Sequence, residues 1–172
     1  MARLFVAVEP PPTLLDRLDE LDRPDGAGVR WSRREQWHIT LCFLGEVERA
    51  AAEAALEQLT AERAVADLGP TVGRLGDRVI CVPIAGLDDL ATAVAAAMDG
   101  LGEAPDDRSF KGHLTLGRAR SATTAVPLVG TPWQASFPVD RVVLVESHLG
   151  SGPARYETVA EQLLGAGAGT DG

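Results

Sequence analysis

Histidine is scarce in this chain of 172 residues, which contains three. Cysteine is scarcer, with two. Cys42 and Cys81 each lie in a strongly apolar run and keep no metal-ligand spacing, so they read as small buried hydrophobes rather than a disulfide or a zinc site. No segment approaches the roughly 20 apolar residues that span a bilayer as a helix. The opening MARLFVAVEPPP has one arginine and a short apolar run that breaks at Glu9 and three prolines. It therefore reads as a first strand, not a secretion signal, and a cytoplasmic location is expected. Positive charge is also in deficit: the formal net charge is −9, which argues against a protein that coats long nucleic acid through many phosphate contacts. A pocket for a single phosphate remains open, because it needs only local positive charge. Arg30, Arg33 and Arg34 supply such charge at one place, and Arg108, Lys111, Arg118 and Arg120 at another.

What is present belongs to an ordinary folded protein, 45% hydrophobic and 24% charged. The length suits one domain or two small lobes sharing a core. RLFVAVE is a strand stopped by PPP. Thr13 can cap a helix whose leucines at 14, 15, 18 and 21 fall at helical spacing. VRW and WHITLCFLG read as extended segments, and EVERAAAEAALEQLTAERA as a helix with Leu56 and Leu59 inward. LGPTVGRLGDRVICVPI reads as a hairpin turning at Gly76–Asp77. A helix with an acidic first turn follows in LDDLATAVAAAMDGLG, then the strand FKGHLTLGRAR, two strands in WQASFPVDRVVLVESHLG and a last one in ARYETVAEQLL. A strand–helix–strand–strand order recurs in each half, with no linker between them. The expected fold is α+β and bilobal: two pseudo-symmetric lobes, largely antiparallel sheets, helices outside and a cleft between. Residues 1–164 form that single domain, and 165–172 are expected to be a disordered tail, since GAGAGTDG has nothing to bury.

Two of the three histidines occupy one four-residue frame, HITL at His38–Leu41 and HLTL at His113–Leu116. Residues two apart in a strand share a face. His38 and Thr40 therefore point one way and Ile39 and Leu41 the other; His113 and Thr115 repeat the pattern. If the lobes face each other, two imidazoles and two hydroxyls line one cleft. One neutral imidazole can take a proton from water while a protonated one donates to a departing oxygen. The hydroxyls can bind non-bridging phosphate oxygens. Such a set suits in-line displacement at phosphorus with no metal, and neither tetrad carries Asp, Glu or Cys at ligand spacing. His148, in VESHLG, has no threonine partner and reads as structural.

The paired H-x-T-L tetrads resemble the signature of the 2H phosphoesterase superfamily. RLFVAVEPP, VRWSRREQWHITLCFLGEV, RSFKGHLTLGRAR and VDRVVLVESHLGSGPARYETV resemble its RNA 2′,3′-cyclic phosphodiesterase branch, also called the 2′-5′ RNA ligase family, from about Arg3 to Leu164. The resemblance implies hydrolysis of a 2′,3′-cyclic phosphate, at an RNA end or on a nucleotide, to a 2′-phosphomonoester, with no cofactor or metal. It implies His38 and His113 as the catalytic pair, His38 as acid and His113 as base, with Thr40 and Thr115 holding the phosphate. Arg118 either touches the phosphate or adjoining nucleotide or lies on the surface, and Phe110 either stacks on a base or packs in the core. Gly112 departs from the family's usual proline and frees the backbone before His113. Glu9 and the acidic total suggest a short RNA footprint. The implied partners are RNA termini or nucleotides, with no membrane or protein partner, and the expected state is a monomer. Ligation in reverse, another cyclic phosphate as substrate, and a non-catalytic phosphate-binding module are the alternatives.

Overall fold

Branched and aromatic residues at the N-terminus form β1 (Ala2–Val8) in a computed structural model that describes residues 1–26, 28–103 and 109–165. There follow α1 (Pro12–Asp19), β2 (Val29–Trp31), a single 3-10 turn at Arg34–Gln36, and β3 (Ile39–Val47). Then come α2 (Arg49–Glu57), β4 (Ala64–Leu68), β5 (Gly73–Leu75), β6 (Val79–Ala85) and α3 (Asp88–Ala97). The chain closes with β7 (His113–Ala119), β8 (Ala135–Val139), β9 (Arg141–His148) and β10 (Arg155–Leu163).

The strands form one curled sheet in the order β10-β9-β1-β3-β7-β6-β4-β8, with β2 on β7 and β5 on β6, and all named pairs are antiparallel. The order is symmetric about its middle. Each half has a tetrad strand innermost (β3 or β7), a neighbour (β1 or β6) and two outer strands. The seam is narrow, since β3 and β7 pair at Ile39↔Leu114 and β2 then takes over the edge of β7 at Trp31↔Gly117. The α+β, bilobal expectation is met, as one sheet bent between two halves.

One face of that sheet makes the core. Leu4, Val6 and Val8 from β1, Ile39, Leu41 and Leu44 from β3, and Leu114 and Leu116 from β7 pack with Leu14 and Leu18 of α1, Ala52 and Leu56 of α2, and Leu90, Ala91 and Val94 of α3. A much smaller cluster on the opposite face joins Phe5, Ala7, Val143 and Val145, with Tyr156 against it. No helix among the described residues is long and apolar enough to cross a membrane.

The structure corrects the start of α1. Thr13 lies inside the helix, and no side chain caps it. Pro12 occupies the first turn, where its fixed φ suits the helix and its missing N–H costs nothing; the Pro11 carbonyl accepts from the N–H groups of Leu14 and Leu15 at 3.0 and 3.1 Å. Strand β4 was not legible, because AVADL has no alternation and follows a run of strong helix formers. Its pairing with β8 from Ala64↔Val139 to Leu68↔Ala135 decides its state. Of the expected tail, Gly165 donates its N–H to the Ala61 carbonyl at 2.8 Å, and 166–172 lie outside the described residues.

Candidate active site

Extending the antiparallel register one step either side of Ile39↔Leu114 sets His38 opposite Thr115 and Thr40 opposite His113. Directly opposed residues in an antiparallel pair share a face, with Cβ atoms roughly 4.5–5.5 Å apart. Ile39 and Leu114 are both 0% exposed on the core side, so the two imidazoles and two hydroxyls meet on the other, each half-buried. The bent seam thus brings together the four residues singled out by the tetrads.

The two imidazoles differ in their surroundings. His113 Nδ1 lies 2.8 Å from the Lys111 carbonyl oxygen. A carbonyl only accepts, so Nδ1 carries hydrogen, and in the neutral ring Nε2 keeps its lone pair. Gly112 between them is pinned: its carbonyl accepts from the Ile84 N–H at 2.9 Å, and a Cβ there would stand 2.6 Å from the Ile84 oxygen. The glycine therefore serves close approach, which fixes the backbone before His113.

His38 is more enclosed, and burial pushes its pKa below the ordinary histidine value, with the Gln36 carbonyl and the Glu9 carboxylate pulling the other way. The Gln36 carbonyl favours the charged ring, yet no acceptor is aligned with the buried Nδ1, which has no hydrogen-bond partner. Edge-on rings supply the enclosure: Tyr156 at 5.6 Å and Phe5 at 6.2 Å between centroids. Glu9 follows Val8, which pairs with Ile39, so the same register sets it opposite His38. Its Oε1 accepts from the Thr158 hydroxyl at 2.7 Å.

Glu9, Phe5 and Tyr156 are the neighbours that sequence reasoning missed as parts of this site. Their nearness to His38 depends on the pairings of β1 with β3 and β9 and of β9 with β10, and no local pattern signals it. Arg118 is exposed on β7 beyond Thr115. Phe110 is half-buried and packs against the main core, whereas the exposed ring beside Phe5 is Phe43, 72% accessible at a centroid distance of 5.8 Å. Arg108 lies outside the described residues. Both cysteines are free, as expected of packed thiols. Cys81, beside Thr115 across β6 and β7, is pushed up to about 11 by burial and stays a thiol at neutral pH.

His148 stands apart, on β9, where its Nε2 lies 2.9 Å from Glu157 Oε2. With Glu146 these are the residues, among those described, whose ligand atoms fall close enough for a metal, within 4.8 Å of one another. The Arg49 guanidinium, 3.7 Å from Glu146, already supplies charge there. A separate recess lined by Asp22, Val29, Trp31, Val126 and Leu128 lies away from the tetrads and holds no imidazole.

Fold and site define a class: a bent antiparallel sheet presenting two H-x-T tetrads across its central seam. The model of the LigT-like phosphoesterase family matches residues 5–68, which include the first tetrad. The structure of LigT from E. coli complexed with 3′-AMP superposes with a TM-score of 0.76 at 26% identity, over 95% of this chain and 98% of that one. The protein TT0787 of Thermus thermophilus superposes at 0.74 with 26% identity, over 94% and 97%. An RNA 2′,3′-cyclic phosphodiesterase of Geobacillus stearothermophilus is 31% identical over 162 residues, 83% of this chain and 50% of that protein. The chain thus spans half the length of the curated relative it matches. The chain is similar to the LigT-like phosphoesterases, in sequence over residues 5–68 and in fold over nearly its whole length.

Proposed function

We propose that the protein hydrolyses 2′,3′-cyclic phosphates at RNA or nucleotide termini to 2′-phosphomonoesters, without a metal, by paired-histidine acid–base catalysis. The observation that carries this is the Ile39↔Leu114 pair at the seam, whose register, carried one step either way, sets each tetrad's histidine opposite the other's threonine. A phosphate lying over it meets a hydroxyl and an imidazole from either side. Thr40 and Thr115 donate to its non-bridging oxygens. Nε2 of His113 takes a proton from water as the water oxygen bonds to phosphorus. The P–O3′ bond breaks, and His38 gives its proton to O3′. His113 ends protonated and His38 neutral, and solvent exchange resets both.

The roles follow the environments. The hydrogen bond to Lys111 directs the free lone pair of His113 outward, as a base requires. His38 has Glu9 across the strand pair to favour its protonated form against burial. An anionic phosphate acts in the same direction as Glu9, so charging of the acid is coupled to substrate binding. That LigT from E. coli was also solved with NADP+, with ATP and with phosphate supports a phosphate-bearing ligand for this face. Ligation follows the same steps in the same direction with a 5′-hydroxyl in place of water, and in water hydrolysis dominates.

The test is turnover of a short RNA ending in a 2′,3′-cyclic phosphate, with EDTA present, by the native protein and by His38→Ala and His113→Ala. General acid–base groups are worth about 10² to 10⁴ each, and each variant should lose at least that. Binding without turnover in the native protein would make the chain a phosphate-binding module. Turnover abolished by EDTA would overturn the metal-free mechanism.

A further inference from the structure

Strict alternation along β7 would send Arg118 to the core side, since His113 and Thr115 face the cleft and Leu114 and Leu116 the core. The structure interrupts that alternation. Thr115 pairs with Cys81 but Gly117 pairs with Ile80, so a register shift between Ile80 and Cys81 leaves Leu116 as an extra residue. Such a bulge re-aims the side chains beyond it. Gly117 records the outcome: a Cβ there would meet Trp31 Cε3 at 2.8 Å and Val29 Cγ1 at 3.0 Å, and both of those side chains pack on the main core. Gly117 thus faces the core, and Arg118, exposed, returns to the face of His113 and Thr115.

Strand β2 supplies a second guanidinium. Val29 and Trp31 face the core, so Arg30 between them faces the cleft side, and its register partner is Arg118 itself. Like charges set directly across a strand pair are destabilising, and in a chain of net charge −9 such an arrangement is an exception. Other arginines are tied down: Arg34 to Asp16, Arg49 to Glu53, Arg141 to Asp140 and Arg74 to three backbone carbonyls. Among the described residues, Arg30 and Arg118 have no such partner, a condition they share with Arg3, Arg63, Arg78, Arg120 and Arg155; what sets them apart is that they face each other across a strand pair.

We propose that Arg30 and Arg118 form a second phosphate subsite, which holds the phosphate on the 5′ side of the nucleotide bearing the cyclic phosphate. The inference rests on the cyclic phosphodiesterase reading and deepens it, from cyclic phosphates in general to substrates with a second phosphate. Three residues of strand separate Thr115 from Arg118, about 10 Å before the bulge shortens it, a gap that a flexible arginine stem and one ribose can bridge. Planar guanidinium groups match a phosphate's paired oxygens. Single-nucleotide cyclic phosphates then engage only the tetrads, whereas longer substrates engage both sites.

Three substrates test this: a nucleoside 2′,3′-cyclic phosphate, the same compound with a 5′-phosphate, and a dinucleotide ending in the cyclic phosphate. A charge-assisted hydrogen bond is worth roughly tenfold or more, so native kcat/KM should be higher by that factor when the second phosphate is present. Arg30→Gln should erase the preference while leaving the nucleoside cyclic phosphate unaffected, and Arg30→Lys should keep part of it. kcat/KM should fall more steeply with rising salt when the second phosphate is present in the native protein, and not in Arg30→Gln. Preference for the dinucleotide alone assigns the subsite to an internucleotide phosphate; preference for both shows that a terminal phosphate suffices. Equal rates on all three, or a preference surviving Arg30→Gln, overturn the subsite and leave the hydrolase reading standing. No hydrolysis of any of the three overturns both.

Discussion

Leu114→Ala probes the seam without touching the chemistry. Leu114 is 0% exposed, pairs with Ile39 on one side and Val82 on the other, and stands between His113 and Thr115 on the opposite face. Truncation removes three carbons, about 2.4 kcal/mol at roughly 0.8 per methylene. The cavity left between two strands that cannot both close on it raises the cost to about 3–4 kcal/mol. Because native domains have about 5–15 kcal/mol in hand, the variant should fold and unfold at lower urea. Trp37, buried beside His38, reports the transition by fluorescence.

Ile39→Val alone should cost about 1 kcal/mol. Since the two residues oppose each other across the seam, the double variant should depart from additivity by about 0.5 kcal/mol or more. Hydrolysis per folded Leu114→Ala molecule should fall far less than in His113→Ala. A cost below about 1 kcal/mol, or strict additivity with Ile39→Val, would refute the claim that side-chain packing at this pair holds the halves together.

Two further outcomes follow from local geometry. His38 is depressed by burial, so the unfolded chain binds more protons below about pH 6.5 and stability should decrease as pH falls from there through the lowered folded value; urea midpoints of His38→Asn should lack that component, and Glu9→Gln, which removes a group that raises the folded value, should extend the decline to lower pH without moving its onset. Gly117→Ala puts a methyl 2.8 Å from the Trp31 ring and 2.9 Å from the Arg30 carbonyl, an overpacking worth about 1–3 kcal/mol, read as a lowered Tm and, if β2 shifts, as a loss of the second-phosphate preference.

Much of the strand plan was legible, because β-branched runs punctuated by glycine and proline declare themselves, and the H-x-T period places both reactive groups on one face before any pairing is known. Where the sequence was silent, the missing quantity was register. AVADL became β4 through its partners. The influence of Glu9 on His38 depends on Val8 meeting Ile39, and the direction of Arg118 depends on one extra residue opposite Ile80. A period-2 reading of HLTLGRA puts Arg118 on the wrong face, and the local hint of the bulge in those seven letters is the glycine at 117.

The repeat carries a difficulty that the structure resolves under the proposed mechanism. Two identical motifs related by symmetry would give two equivalent imidazoles, and an acid and a base must differ. The asymmetry comes from outside the tetrads. His113 starts its strand, where the Lys111 carbonyl is free to hold Nδ1. The aromatic cluster that encloses His38 comes from β1 and β10, and the strands flanking the other tetrad place no ring against His113 among the described residues. Divergent surroundings of matched titratable groups are what separate acid from base at one pH. Tyr156→Leu is therefore the informative variant: it keeps both tetrads and removes part of the edge-on aromatic enclosure of His38. It should shift the limb of the pH–rate profile that belongs to His38 and leave the limb of His113 in place. Equal movement of both limbs would mean that the two imidazoles titrate as one coupled unit, and the assignment of separate roles would have to be abandoned.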